Sequence, residues 1–76
     1  MAGSGELAGD ASLWDASAVA VWVSEQIEET NYANVFMRNH ISGVELKELT
    51  DQDLRESLGI ASLGHRKKLL RAIQQL

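Results

Sequence analysis

Seventy-six residues allow one small core, since a chain of this length buries only about 60% of its unfolded surface. The composition, 45% hydrophobic and 24% charged, excludes the disordered class, and the lack of cysteine excludes disulfides and thiolate metal sites. A net charge of -4 opposes nucleic acid and anionic lipid, while the longest apolar run, Ala18 to Val23, is far below the roughly 20 residues that span a bilayer.

Residues 1–12 are rich in Gly, Ala and Ser, carry two acids and contain no run that could bury a face. They are read as a flexible leader, an expression remnant or the end of a linker, with the folded domain expected over residues 13–76. Asp15 is a good N-cap for a first helix in which Val19, Trp22, Val23 and Ile27 recur at i, i+3, i+4 and i+8 on one face. Thr30 or Asn31 caps a short second helix, where Tyr32 and Phe36 share a side and the end falls near Asn39. Ser42-Gly43 interrupts the chain, and Leu46 and Leu49 anchor one or two turns of a third helix too short to stand alone. Thr50 with Asp51 and Asp53 resembles a capping box that opens a fourth helix at Asp51, and Gly59 suits the left-handed position that closes it. Ser62 caps a last helix carrying Leu69, Leu70, Ile73 and Leu76.

The fold class is therefore all-α, a compact five-helix bundle with no strand candidate. Its expected core is Val19, Trp22, Val23, Ile27, Phe36, Leu46, Leu49, Leu54, Leu58, Ile60, Leu69, Leu70 and Ile73.

The ordered set of residues resembles the sterile alpha motif (SAM) family. Trp14, Val19, Trp22 and Val23 are similar to its opening. Tyr32 and Phe36, Ile41 and Gly43, Leu46, Leu49 and Thr50, Asp53-Leu54, Leu58-Gly59-Ile60 and the run from Gly64 to Leu70 are similar to its later signatures. The resemblance covers about Leu13 to Leu76. It departs at Ser42, where many members carry Asp, and at Lys47, where many carry a second Leu, which makes the third helix more polar here. It implies a SAM-like bundle that binds other proteins and catalyses nothing.

The side-chain inventory agrees. His40 and His65 are 25 residues apart, no cysteine is present, and the serines lack a nucleophile-elbow frame, so neither an enzyme nor a cofactor is expected. His65 has no ligand partner at i+4 and reads as a structural histidine; Asp51 and Asp53 lack the further ligands and glycine of a calcium loop and read as caps.

Charge is distributed unevenly along the chain. Residues 1–62 hold all eleven acids and three of the seven bases, whereas residues 63–76 hold four bases and no acid. Cations at a helix N-terminus oppose its dipole, so the basic start of the last helix, Gly64, His65, Arg66, Lys67 and Lys68 with Arg71 beyond, is the leading candidate surface. Its complement is the acidic middle, Glu45, Glu48, Asp51, Asp53 and Glu56. The resemblance implies that such surfaces dock head to tail, in self-association or in pairing with another SAM domain. Two alternatives are an RNA-hairpin binder, opposed by the net charge and by the lack of interleaved aromatic side chains, and a monomeric scaffold for an unrelated protein. An intracellular setting, cytoplasmic by default, is expected because the N-terminus lacks a basic start followed by an apolar core.

Overall fold

The structure is a computed structural model that describes residues 10–76. Most of the presumed leader lies outside the described residues, but its end does not behave as one. Asp10 accepts a hydrogen bond from the Ser12 amide at 3.0 Å and starts a single 3-10 turn, Ala11–Leu13, whose Ala11 is fully buried. The folded body thus begins at least three residues before Leu13.

Helix α1, Ala16–Gln26, opens on Asp15, whose carboxylate accepts from the Ala18 amide at 2.9 Å. It buries Val19, Ala20 and Val23, with Ile27 just past its end. Helix α2 is short, Ala33–Arg38, and Asn31 rather than Thr30 supplies a side-chain acceptor, to the Ala33 amide at 3.2 Å. It ends in a turn that usually needs glycine: His40 is left-handed (φ 54°), its amide bonds to Met37 O, and the Ile41 amide reaches back to Phe36 O at 3.1 Å. That closure folds Ile41 inward beside Phe36, and both are buried.

Helix α3, Gly43–Glu48, starts where the opening turn crosses the chain. The Gly43 amide donates to Trp14 O at 2.9 Å, and a Cβ at Gly43 would lie 1.7 Å from the Ala11 carbonyl oxygen. Only glycine lets the two backbones approach so closely. Helix α4, Asp53–Ser57, follows a helical lead-in at residues 51–52 and is wound more widely than an α-helix, with Leu58 N bonded to Asp53 O and Ile60 N to Leu54 O. Gly59 (φ 69°) closes it in the left-handed conformation, as expected. Ser62 caps the longest helix, α5, Leu63–Gln74, by accepting from the His65 amide at 3.2 Å.

Helix α1 packs on α2, α3 and α5, while the opening turn packs on α3. No strand is present among the described residues. Ten of the thirteen expected core residues are buried; Trp22, Leu49 and Leu70 are only partly buried and pack against that core from its edge. Ala11, Trp14 and Ile41 are buried in the core as well. The Trp14 and Trp22 rings lie 6.0 Å apart, tilted by 52°, a tilted aromatic contact between a buried and a partly buried indole.

Candidate functional site

At about 100° per residue, Leu63, Gly64, Lys67, Lys68 and Arg71 fall within an arc of about 140° on α5. All five are exposed. The other side carries His65, Arg66, Leu69, Leu70 and Ile73. Arg66, Leu69, Leu70 and Ile73 stand at i, i+3, i+4 and i+7, the spacing of a buried stripe.

Arg66 therefore corrects the sequence reading: it is not an outward cation but a buried one, 7% exposed. Its Nε donates to Asp51 Oδ1 at 2.8 Å, and one terminal nitrogen donates to the Ile60 and Ala61 carbonyl oxygens at 2.9 and 3.0 Å. The guanidinium thereby joins α5 to the start of α4 and to the turn between them. Its planar fork suits several acceptors at once, which an ammonium could not satisfy in the same way. Asp51 is consumed by the same pair on its inner side, although its side chain remains 45% exposed.

His65 is also occupied within the chain, in line with its reading as a structural histidine. The Tyr32 hydroxyl and His65 Nδ1 are 2.6 Å apart, the rings meet edge to face, and Nε2 lies 3.3 Å from Glu29 Oε2. This suits an imidazole protonated at Nε2, which donates to Glu29 and accepts from Tyr32. Glu29's own amide and then His65 hold its carboxyl below the ordinary range. The free positive surface reduces to Lys67, Lys68 and Arg71.

The acidic middle divides in the same way. Glu45 accepts from both the amide and the hydroxyl of Ser42 as the acid of a capping box, and these bonds hold its carboxyl below the ordinary range. Asp53 accepts from the Thr50 amide at 3.1 Å while Thr50 Oγ1 accepts from the Asp53 amide at 3.1 Å, so Asp53 rather than Asp51 completes the second box. Glu56 is exposed and touches Gln52 and Arg55. Glu48 is exposed on α3 and belongs to neither box.

Glu45, Glu48 and Asp53 come together around an open depression of about 280 Å³ between the end of α2, α3 and α4. Its lining also includes Ile41, Leu49 and Leu58, with Asn39 and Ser57 at its polar margin. Asp51 and Glu56 do not line it. Sequence reasoning collected the acids but missed the groove, because Ile41 enters it only through the left-handed turn at His40. No helix among the described residues is long and apolar enough to cross a membrane.

Comparison with known proteins agrees with this architecture. The SAM domain (sterile alpha motif) family model matches residues 12–76. Diacylglycerol kinase delta of Mus musculus is 37% identical over 70 residues, 92% of this chain and 6% of that protein. Diacylglycerol kinase eta of Drosophila yakuba is 38% identical over 66 residues, 87% of this chain and 3% of that protein. The chain thus spans only a small part of the relatives it matches. A solved polyhomeotic SAM domain structure superimposes with a TM-score of 0.79 at 23% identity, covering 87% of this chain and 93% of that one, which establishes the shared fold. With its bundle and its sequence in agreement, the chain belongs to the sterile alpha motif family, non-catalytic helical modules that generally serve protein–protein interaction.

Proposed function

We propose that this SAM domain associates head to tail with a like domain, another copy or a relative, through the outward face of α5 and the acidic groove. The observation that carries this reading is the separation of charge of opposite sign: Lys67, Lys68 and Arg71 stand on one element, while Glu48 and the capping acids Glu45 and Asp53 ring a depression built from others. Lys67, Lys68, Arg71, Glu45 and Glu48 are exposed and Asp53 is half-buried, and the two sets are opposite in charge. Since the two surfaces differ, the contact is heterologous, and repetition builds an open chain unless the rotation closes it. The resemblance to diacylglycerol kinases delta and eta concerns this module, so it supports a docking unit within a larger protein and no kinase activity of the unit itself.

Charge of this kind sets orientation and association rate, so assembly should weaken as salt rises beyond about 0.15 M, where the screening length is about 8 Å. Sedimentation velocity over a concentration series tests the reading. Lys67→Glu and Glu48→Lys are each expected to abolish association while changing stability by less than about 0.5 kcal/mol, because both side chains are exposed. Each variant keeps one intact surface, so their mixture should yield a pair that cannot extend. A wild type that stays monomeric at high concentration and binds no related domain would refute the reading, as would reversals that leave oligomer size unchanged. Specific RNA-hairpin binding at physiological salt would instead favour a nucleic-acid role, which the absence of aromatic side chains on the outward arc of α5 opposes.

A further inference from the structure

Residues 63–76 carry four bases and no acid. The fold nevertheless brings an acid to the edge of α5 from 36 residues away: Glu29, in the loop after α1, has its Oε2 at 3.3 Å from His65 Nε2. The Glu29 side chain is 63% exposed and that of His65 only 20%, so the carboxylate faces solvent beside a mostly covered ring. That ring is itself fixed by the Tyr32 hydroxyl at 2.6 Å from Nδ1 and by the edge-to-face contact with Tyr32. At about 100° per residue, Lys68 lies about 60° around α5 from His65, Arg71 about 120° and Lys67 about 160°. Glu29 thus borders the Lys68 edge of the basic arc and lies on the side away from Lys67. In keeping with this, its carboxyl is held below the ordinary range by its own amide first and then by His65, with the charge of Lys68 acting in the same direction.

We propose that Glu29 is a specificity residue that closes the Lys68 edge of the basic face, confines that face to Lys67 and Arg71, and so turns away single-stranded nucleic acid. Such a strand carries a phosphate at every nucleotide and binds by summing contacts to several cations. A carboxylate fixed at the edge of a three-cation arc removes one of those contacts and repels the phosphates that would run past it. A compact acidic surface needs no such continuation, and contact through Lys67 and Arg71 leaves Glu29 outside it. The assignment deepens the head-to-tail reading by naming what the same face refuses, while its main readout does not depend on self-association. If Glu29 served only as an acceptor for His65, glutamine would replace it without consequence for binding, since the amide keeps an oxygen for the Nε2 proton.

The test titrates the whole chain into a labelled single-stranded oligouridylate of about 12 nucleotides, followed by fluorescence anisotropy from about 0.05 M salt upwards. One like charge removed at about 6 Å in water is worth about threefold in affinity, so Glu29→Gln should bind the strand about threefold more tightly than wild type at an unchanged melting temperature. The slope of log affinity against log salt should steepen by about 0.7, the value of one further phosphate contact on a single strand. Adding Lys68→Ala should cancel both changes. Glu56→Gln, which alters the net charge equally at an exposed site on α4, should change binding by less than about 1.5-fold. Self-association of Glu29→Gln, measured by sedimentation velocity, should stay within about twofold of wild type. Equal gains from Glu29→Gln and Glu56→Gln would reduce the effect to net charge and overturn the assignment. It is overturned as well by a gain that survives Lys68→Ala, or by no gain from Glu29→Gln, absence of measurable binding by both chains included. If Glu29→Gln strengthens self-association as much as strand binding, Glu29 screens the face against every acidic partner, and the specificity assignment is wrong while the head-to-tail reading stands. If wild type does not self-associate but the strand results are as expected, the head-to-tail reading fails and the role of Glu29 stands.

Discussion

The basic start of α5 and the acidic middle of the chain both divide their charges between internal bonds and free surface, but they do so over different distances. On the basic side the internal bonds join separate elements: Arg66 reaches Asp51, Ile60 and Ala61, and His65 reaches Tyr32 and Glu29. On the acidic side they are local caps, Glu45 to Ser42 and Asp53 to Thr50, each made across a single turn. A tertiary bond can be buried by the elements it joins, whereas a cap lies at an exposed helix end. The same kind of charge is therefore costly to remove from the first region and inexpensive to remove from the second.

The largest effect that sharpens this contrast is expected at Arg66. Arg66→Met should cost about 2–4 kcal/mol by leaving two carbonyls without a donor, with Asp51 partly rehydrated because its side chain is half exposed. Arg66→Glu, which faces an acid with another acid, should leave the domain largely unfolded at 25 °C, given the few kcal/mol of stability available to so small a fold. Chemical denaturation of both variants measures this, and a loss under about 0.5 kcal/mol for Arg66→Met would erase the distinction between the inner and outer sides of α5.

A middle-sized effect is expected at the Tyr32–His65 contact. Tyr32→Phe removes the hydroxyl at 2.6 Å from His65 Nδ1 but keeps the ring packing, and should cost about 1 kcal/mol. Loss of the His65 amide and ring signals from their wild-type positions, read by NMR, would accompany it. No change in stability would mean that water replaces the hydroxyl without penalty.

The smallest effect belongs to the caps. The Ser42 bonds lower the Glu45 carboxyl below its ordinary value of 4.5 in the folded chain. Its stabilising contribution is therefore fully present above about pH 4.5 and is lost as the pH falls through the lowered folded value. Melting temperatures of wild type and Glu45→Gln should differ modestly at pH 7 and converge at acid pH. A difference that persists unchanged below that range would show that the carboxylate charge is not what the cap uses.

Much of this was legible in the residues themselves. Asp15, Ser62, the Thr50 box and Gly59 act where they were placed, because a cap involves partners within about three residues and so depends on local sequence alone. Arg66 was misread although a signal existed: it occupies the first place of an i, i+3, i+4, i+7 stripe whose other members are Leu69, Leu70 and Ile73. Its chemistry suggested surface, and its position indicated burial.

What the sequence by itself determined is the order, the approximate ends and the apolar faces of five helices, since periodicity, caps and breakers act through neighbouring residues. What only the tertiary structure decided is which polar groups those faces enclose and which they leave to solvent. The Ala11 carbonyl against Gly43, the inward turn of Ile41 after His40, and the acceptors that gather around Arg66 all depend on residues distant in the chain or on one left-handed backbone position. A charge in the sequence becomes a charge on the surface only where packing has left it without a partner, and that balance of desolvation against bonding is set by the assembled fold.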